Sequence, residues 1–152
     1  MRILVLEASE EYYHTYLLRL FAKLLPSDKL EFVHAPRLED ALGLLEQEWD
    51  IVLLGYRFPD SVKVASEQGS EMVVRNGGDW LRLRRAAERV RGLKKSFVIG
   101  VTSNQPESQA LRLLQLGTTC YSKLQVVDIA KAIQGQLDLA EMTAKAQQVG
   151  EE

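Results

Sequence analysis

Five short apolar runs, each followed by a stretch of helical period, constrain this chain more than any single residue does. The runs fall at 2–7, 30–35, 50–55, 97–102 and 118–122. Most are solid rather than alternating: Ile51-Val52-Leu53-Leu54 contains no polar residue, which suits a parallel strand covered by helices on both faces. The first helix is predicted behind a cap at Ser9, with Tyr13, Leu17, Leu20, Phe21 and Leu24 on one stripe and Pro26 marking its end. A second covers about 38–47, turning Leu38, Ala41, Leu42 and Leu45 inward. The third starts near Gly78 and carries Trp80, Leu81, Leu83, Ala87 and Val90. The fourth, 107–116, has Ala110, Leu111 and Leu114, with Gly117 placed to end it. The last starts near Val126 and runs past Ala144, burying Val126, Ala130, Ile133 and Leu137.

Strand then helix, five times over, argues a doubly wound α/β sandwich. With five strands the expected architecture is a flavodoxin-like parallel sheet in the order 2-1-3-4-5. Ligands of such sheets bind beyond the carboxyl ends of the strands, which here means residues 7–9, 55–60, 102–104 and 122–123. One interval breaks the rhythm. The residues between Pro59 and Gly78 are too many for a βα loop of ~2–6 residues. Val62-Lys63-Val64-Ala65 and Glu71-Met72-Val73-Val74 flank a turn containing Gly69, which fits either a small hairpin or a loop at the functional end of the sheet.

At 152 residues, with 46% hydrophobic and 26% charged side chains, the chain fits one globular domain. Its net charge of −2 gives no overall reason to expect nucleic acid or an anionic membrane as partner. A lone Cys120 makes no internal disulfide, and no cysteine–histidine spacing suggests zinc. No signal peptide or membrane span is visible in the sequence, so a cytoplasmic location is expected.

Several blocks in this order resemble the receiver domain of response regulators (the CheY-like family), across roughly residues 1–139. They are Arg2-Ile3-Leu4-Val5-Leu6-Glu7; Asp50-Ile51-Val52-Leu53-Leu54-Gly55 with the exit loop through Pro59-Asp60; Gly77-Gly78-Asp79-Trp80-Leu81; Val98-Ile99-Gly100-Val101-Thr102-Ser103; and Leu116-Gly117-Thr118-Thr119-Cys120-Tyr121-Ser122-Lys123. The resemblance implies acidic residues on the first strand holding Mg²⁺, an aspartate on the third accepting a phosphoryl group, and a hydroxyl and a lysine binding its oxygens. Residue by residue this chain keeps Glu7, Thr102 and Lys123, has Ala8 where a second acid is usual, and has Gly55 at the phosphoacceptor position. Glycine has no side chain to phosphorylate, so the aspartyl-phosphate route is closed. One glutamate makes a poor magnesium site, and neither a metal nor a cofactor is expected. Glu7 fits an ion pair with Lys123; Asp60 is a candidate surrogate acceptor, and Arg57 a charge that fills the space beside Gly55.

The remaining features each admit two readings. Arg82, Arg84, Arg85, Arg89, Arg91, Lys94 and Lys95 suit either a solvated helix face or a patch for nucleic acid or an acidic partner. Tyr121 is either a switch coupled to Thr102 or an aromatic packed against the fourth helix, and Cys120 reads as a small buried residue. His14, on the exposed side of the first helix, and His34 lie far apart in the pattern, and neither has triad partners. The organisation expected is a receiver-like domain over 1–140, with an insertion at about 61–76, and a helical extension over 141–152. Its function is expected to be that of a non-enzymatic, phosphorylation-independent signalling module. It would act on protein partners, with a homodimer as one possibility, through the face of the fourth helix, fifth strand and fifth helix: Leu111, Leu114, Tyr121, Val126 and Ile133. The alternative is a small-ligand-binding domain whose pocket lies beside Gly55 under the inserted loop.

Overall fold

A run such as Ile51-Val52-Leu53-Leu54 can satisfy its backbone only against neighbouring strands, and can place its side chains only between two layers. The computed structural model describes residues 1–65, 69–103 and 107–151. Asn104 and the turn at 66–68 lie outside the described residues. The strands, in chain order, are β1 (Arg2–Leu6), β2 (Glu31–Ala35), β3 (Ile51–Gly55), β4 (Arg57–Ala65), β5 (Glu71–Asn76), β6 (Phe97–Thr102) and β7 (Thr119–Ser122). Five of them form one parallel sheet in the order β2-β1-β3-β6-β7, while β4 and β5 pair as a separate antiparallel hairpin. With the hairpin set aside, this is the expected order 2-1-3-4-5.

Five helices flank the sheet: α1 (Leu18–Leu24), α2 (Leu38–Gly43), α3 (Gly77–Arg91), α4 (Glu107–Gln115) and α5 (Val126–Glu151). Alternate residues of each strand serve opposite faces. Ile3, Val5, Ile51 and Leu53 pack under α1 and α5, and Leu4, Leu6, Val52 and Leu54 under α2, α3 and α4. A π-helical turn, Tyr12–Leu17, leads into α1. It holds more residues per turn than an α-helix, which keeps Tyr13, Leu17, Phe21 and Leu25 in one buried row at an i,i+4 spacing. Ser9 does start this segment, its hydroxyl accepting the Tyr12 N–H at 3.1 Å, but Leu25 rather than Leu24 closes the buried row.

The structure corrects several expectations. Helix α2 ends at Gly43, not near Gln47, because side chains claim the next carbonyls: Trp49 Nε1 donates to Leu44 O, and Arg84 to Leu45 O and Gln47 O. In α3 the inward positions after Leu81 are Arg84 and Glu88, and Val90 is exposed. The basic run is therefore not wholly a solvated face. Arg84 is 0% exposed; its Nε donates to Glu88 Oε2 at 3.2 Å and a terminal nitrogen to Ser96 Oγ at 3.1 Å. Glu88 also accepts from the Ser96 N–H at 2.8 Å and from Arg85 at 2.8 Å, so one network ties α3 to the chain on both sides of the sheet's edge. In α4 the buried leucine is Leu113; Leu111 and Leu114 are 57% and 54% exposed. His14 and His34 are not far apart: their rings lie 5.7 Å apart, and Tyr13 stacks on His34 at 3.9 Å.

The insertion is ordered as the β4–β5 hairpin, which begins at Arg57, earlier than the sequence pattern marks. Val74 is fully buried, and Phe58, Val62 and Val64 pack onto the α2–α3 cluster. The Asp60 carboxylate caps α2, accepting from Leu38 N at 3.0 Å and Glu39 N at 3.1 Å. That helix has no capping side chain of its own, since its first flanking residue is Arg37. The hairpin ends in a reciprocal cap for α3: Asn76 Oδ1 accepts from Asp79 N, and Asp79 Oδ2 accepts from Arg75 N, both at 2.9 Å.

Candidate functional site

The carboxyl edge of the sheet carries a cleft of about 260 Å³ lined by Glu7, Ala8, Ser9, Gly55, Tyr56, Arg57, Val101, Ser103 and Lys123. Strand β1 delivers Glu7, which is 4% exposed. Its Oε1 accepts from Lys123 Nζ at 2.8 Å and from the Ser9 N–H at 3.0 Å, and its backbone carbonyl lies 2.7 Å from His34 Nε2. The Glu7–Lys123 pair expected from the sequence is present. Lys123 is fixed from three sides: its N–H donates to Thr102 O at 2.9 Å, its carbonyl accepts the Tyr12 hydroxyl at 2.6 Å, and its ammonium sits 4.9 Å from the centre of the Tyr12 ring. Burial, followed by the negative charge of Glu7, pushes the Tyr12 hydroxyl well above its ordinary pKa, so it remains a donor.

Gly55 lies where close backbone approach demands glycine. A Cβ there would lie 2.6 Å from the Leu6 carbonyl oxygen and 3.7 Å from Glu7 Oε2. On its other side, a Cβ on Gly77 would overlap the Gly55 carbonyl oxygen itself. Gly77 N donates to Tyr56 O at 2.8 Å, so the start of α3 is seated directly on the end of β3. Any side chain at position 55 therefore requires β1 or β3 to move.

The other predicted residues are distributed unevenly. Ala8 lines the cleft and offers no ligand atom. Thr102 does not line it: its hydroxyl points to Tyr121 O at 3.4 Å, and the hydroxyl residue that lines the cleft at this strand end is Ser103, one residue on. Asp60 is committed to α2 and is absent from the lining. Arg57 lines the cleft, whereas none of the described residues of 61–76 does, so the inserted hairpin lies over α2 and not over this pocket. Tyr121 is half-buried against the α1–α5 cluster, not against α4; Cys120, half-buried, takes the α4 side. Val126 and Ile133 are buried in the core and cannot contact a partner directly. Leu111, Leu114, Leu124 and Val127 form the exposed apolar residues of that face. Among the described residues, no cluster of three or more His, Cys, Asp or Glu is placed to hold a metal. No helix is long and apolar enough to cross a membrane.

Sequence reasoning missed Tyr12 and Gly77 as parts of the site, and named Ser103 only within the edge segment 102–104. The close approach of Gly77 to Gly55 is a contact between segments that no local pattern encodes.

No family model and no curated protein matches the chain. Solved structures do. The signal receiver domain of the DNA-binding response regulator merR from Colwellia psychrerythraea 34H superposes with a TM-score of 0.63 at 18% identity, over 91% of this chain and 98% of that one. A CheY-like response regulator receiver domain protein from Methanospirillum hungatei JF-1 gives 0.59 at 21% identity, over 93% and 97%. The phosphorylated cyanobacterial phytochrome response regulator RcpA gives 0.56 at 18%, over 88% and 90%. The fold is that of the response-regulator receiver domains: a CheY-like, flavodoxin-like five-stranded parallel sheet between two helical layers. This chain adds a β-hairpin between the third sheet strand and the third helix.

Proposed function

We propose that this chain is a phosphorylation-independent, non-enzymatic signalling module that works by protein–protein contact. The reading rests on one observation. At the position where the receiver fold carries its phosphoacceptor stands Gly55, held against the Leu6 carbonyl with no room for a side chain, beside a Glu7 already engaged by Lys123 and the Ser9 N–H. A magnesium ion at this edge would have to compete with Lys123 for its single carboxylate. Information is then conveyed by surface shape. The face formed by α4, β7 and the start of α5 supplies the contact, with Leu111 and Leu114 exposed on α4 and Leu124 and Val127 beside them. Self-association through the same face is the homodimeric form of this reading. The unit is one domain over 1–140, with 141–152 as an extension.

Treatment with acetyl phosphate and Mg²⁺ tests it: intact mass stays unchanged, and tyrosine fluorescence does not respond. A stable adduct of about 80 Da, the mass of a phosphoryl group, overturns the reading. Leu111→Asp with Leu114→Asp abolishes capture of the native partner and leaves the folding stability within ~0.5 kcal/mol of wild type, as surface substitutions do. A small-ligand role finds support in an adjoining cleft of about 510 Å³ between the π-helical turn before α1 and the β7–α5 turn, lined by Tyr12, Thr15, Tyr16 and Leu124 among others. A thermal-shift screen of nucleotides, flavins and second messengers separates the two readings.

A further inference from the structure

A second concave surface lies at the opposite, amino edge of the sheet, where α3 ends at Arg91 and the chain returns to β6. Arg85, Glu88, Arg89, Leu93, Lys95 and Leu116 line a cleft of about 390 Å³. Its one lining carboxylate is fully engaged. Glu88 Oε1 takes Arg85, and Oε2 takes Arg84 and the Ser96 N–H. Arg84, buried behind it, already balances that charge. The surface therefore presents Arg89 and Lys95 without compensation, while Arg85 stays on Glu88 and the Ser96 carbonyl. Their neighbours differ: Arg91 pairs with Glu46 at 2.9 Å and Lys94 with Asp50 at 3.1 Å. Among the described residues Arg89 and Lys95 have no such partner, and both are exposed. The carboxyl end of α3 contributes roughly half a negative charge, too little to neutralise two cations. Leu93 and Leu116, half-buried, supply an apolar floor between them.

Unpaired cations around an apolar floor select an anion that carries a hydrocarbon group. A nucleic-acid backbone, with one charge about every 1.7 Å of duplex, needs a row of cations and has nothing to set on two leucines. We infer that this cleft docks an acidic peptide segment of a partner protein, its carboxylates engaging Arg89 and Lys95 while an apolar side chain between them seats on Leu93 and Leu116. The site is separate from the α4–β7–α5 face.

The test uses the full chain and a fluorescein-labelled decapeptide of glutamates around a central leucine. Anisotropy shows saturable binding that weakens from low to physiological salt. Amide shifts in a ¹⁵N spectrum move at Leu93, Lys95 and Leu116. Arg89→Gln with Lys95→Gln weakens binding at least ~tenfold, the size expected for loss of interfacial charge pairs, while the thermal midpoint holds. Leu111→Asp with Leu114→Asp leaves binding unchanged. The inference is overturned if the peptide does not bind saturably, if binding survives the double glutamine variant, or if a short DNA duplex binds through Arg89 and Lys95 more tightly than the peptide.

Discussion

Gly55→Ala isolates the steric part of the site from its chemistry. The φ of Gly55 lies outside the positive region, so the backbone itself accepts alanine, and the change should gain ~0.4–1 kcal/mol by restricting the unfolded chain. Against this stands a Cβ only 2.6 Å from the Leu6 carbonyl oxygen, where β1 and β3 are paired through Leu4↔Val52, Val5↔Leu53 and Leu6↔Leu54 and have little freedom to part. Overpacking of this kind costs ~1–3 kcal/mol, and about 2 kcal/mol, the middle of that range, leaves a net loss of about 1–2 kcal/mol. For a chain of this size each kcal/mol moves the midpoint by ~2–4 °C, so differential scanning calorimetry should show Gly55→Ala melting about 2–8 °C below wild type. Gly55→Asp should melt lower still, since it sets a second carboxylate beside Glu7, and two close carboxylates resist ionising together. It should not be phosphorylated by acetyl phosphate with Mg²⁺. Wild-type or higher stability for Gly55→Ala would refute the close-approach argument. A Gly55→Asp protein that is both stable and phosphorylated would show that the scaffold had kept the site open.

Three further outcomes are expected. Arg84→Met should cost about 1–3 kcal/mol in chemical denaturation, the penalty for leaving the Leu45 and Gln47 carbonyls without their donor while Glu88 keeps Arg85 and the Ser96 N–H; a loss under ~0.5 kcal/mol, that of an ordinary surface substitution, would argue against the network. Asp60→Ala should cost ~1 kcal/mol through the α2 cap and speed amide exchange at Leu38 and Glu39, and unchanged exchange there would contradict the cap across the hairpin. Stability should fall at both pH extremes. Burial alone would raise the Glu88 carboxyl, but the Ser96 N–H, Arg85 and Arg84 outweigh it and hold it below its ordinary range; the Arg2 N–H and Lys94 do the same for Asp50. Their contribution is thus present above the unfolded values of about 4 and lost as pH falls through the lower folded ones. Tyr12, pushed up by burial, contributes below about pH 10 and loses that contribution as pH rises further. A denaturation midpoint that stays level below pH 4 and above pH 10 would contradict these assignments.

The helices show what local pattern could and could not decide. In α4 the sequence offers Leu111, Leu113, Leu114 and Leu116, enough leucines for two adjacent stripes, and only docking onto Val98 and Cys120 selects Leu113 for the core. In α3 the basic run admitted a solvated face, yet Arg84 and its partner Glu88 are buried because the carbonyls of Leu45 and Gln47 and the Ser96 N–H lie within reach. Likewise Asp60 looked free to approach Gly55 until the hairpin carried it onto α2.

By itself the sequence determined the sheet, its strand order and the absence of a carboxylate at position 55, because apolar runs of strand length and the identity of one residue are local properties. The Glu7–Lys123 pair was also legible, since both residues end neighbouring parts of the expected sheet. The tertiary structure alone decided that Gly55 has no room for a side chain, that the hairpin lies over α2, and which cations stay unpaired at the amino edge. Each of these depends on distances between segments far apart in the chain, and a one-dimensional pattern carries no such distances.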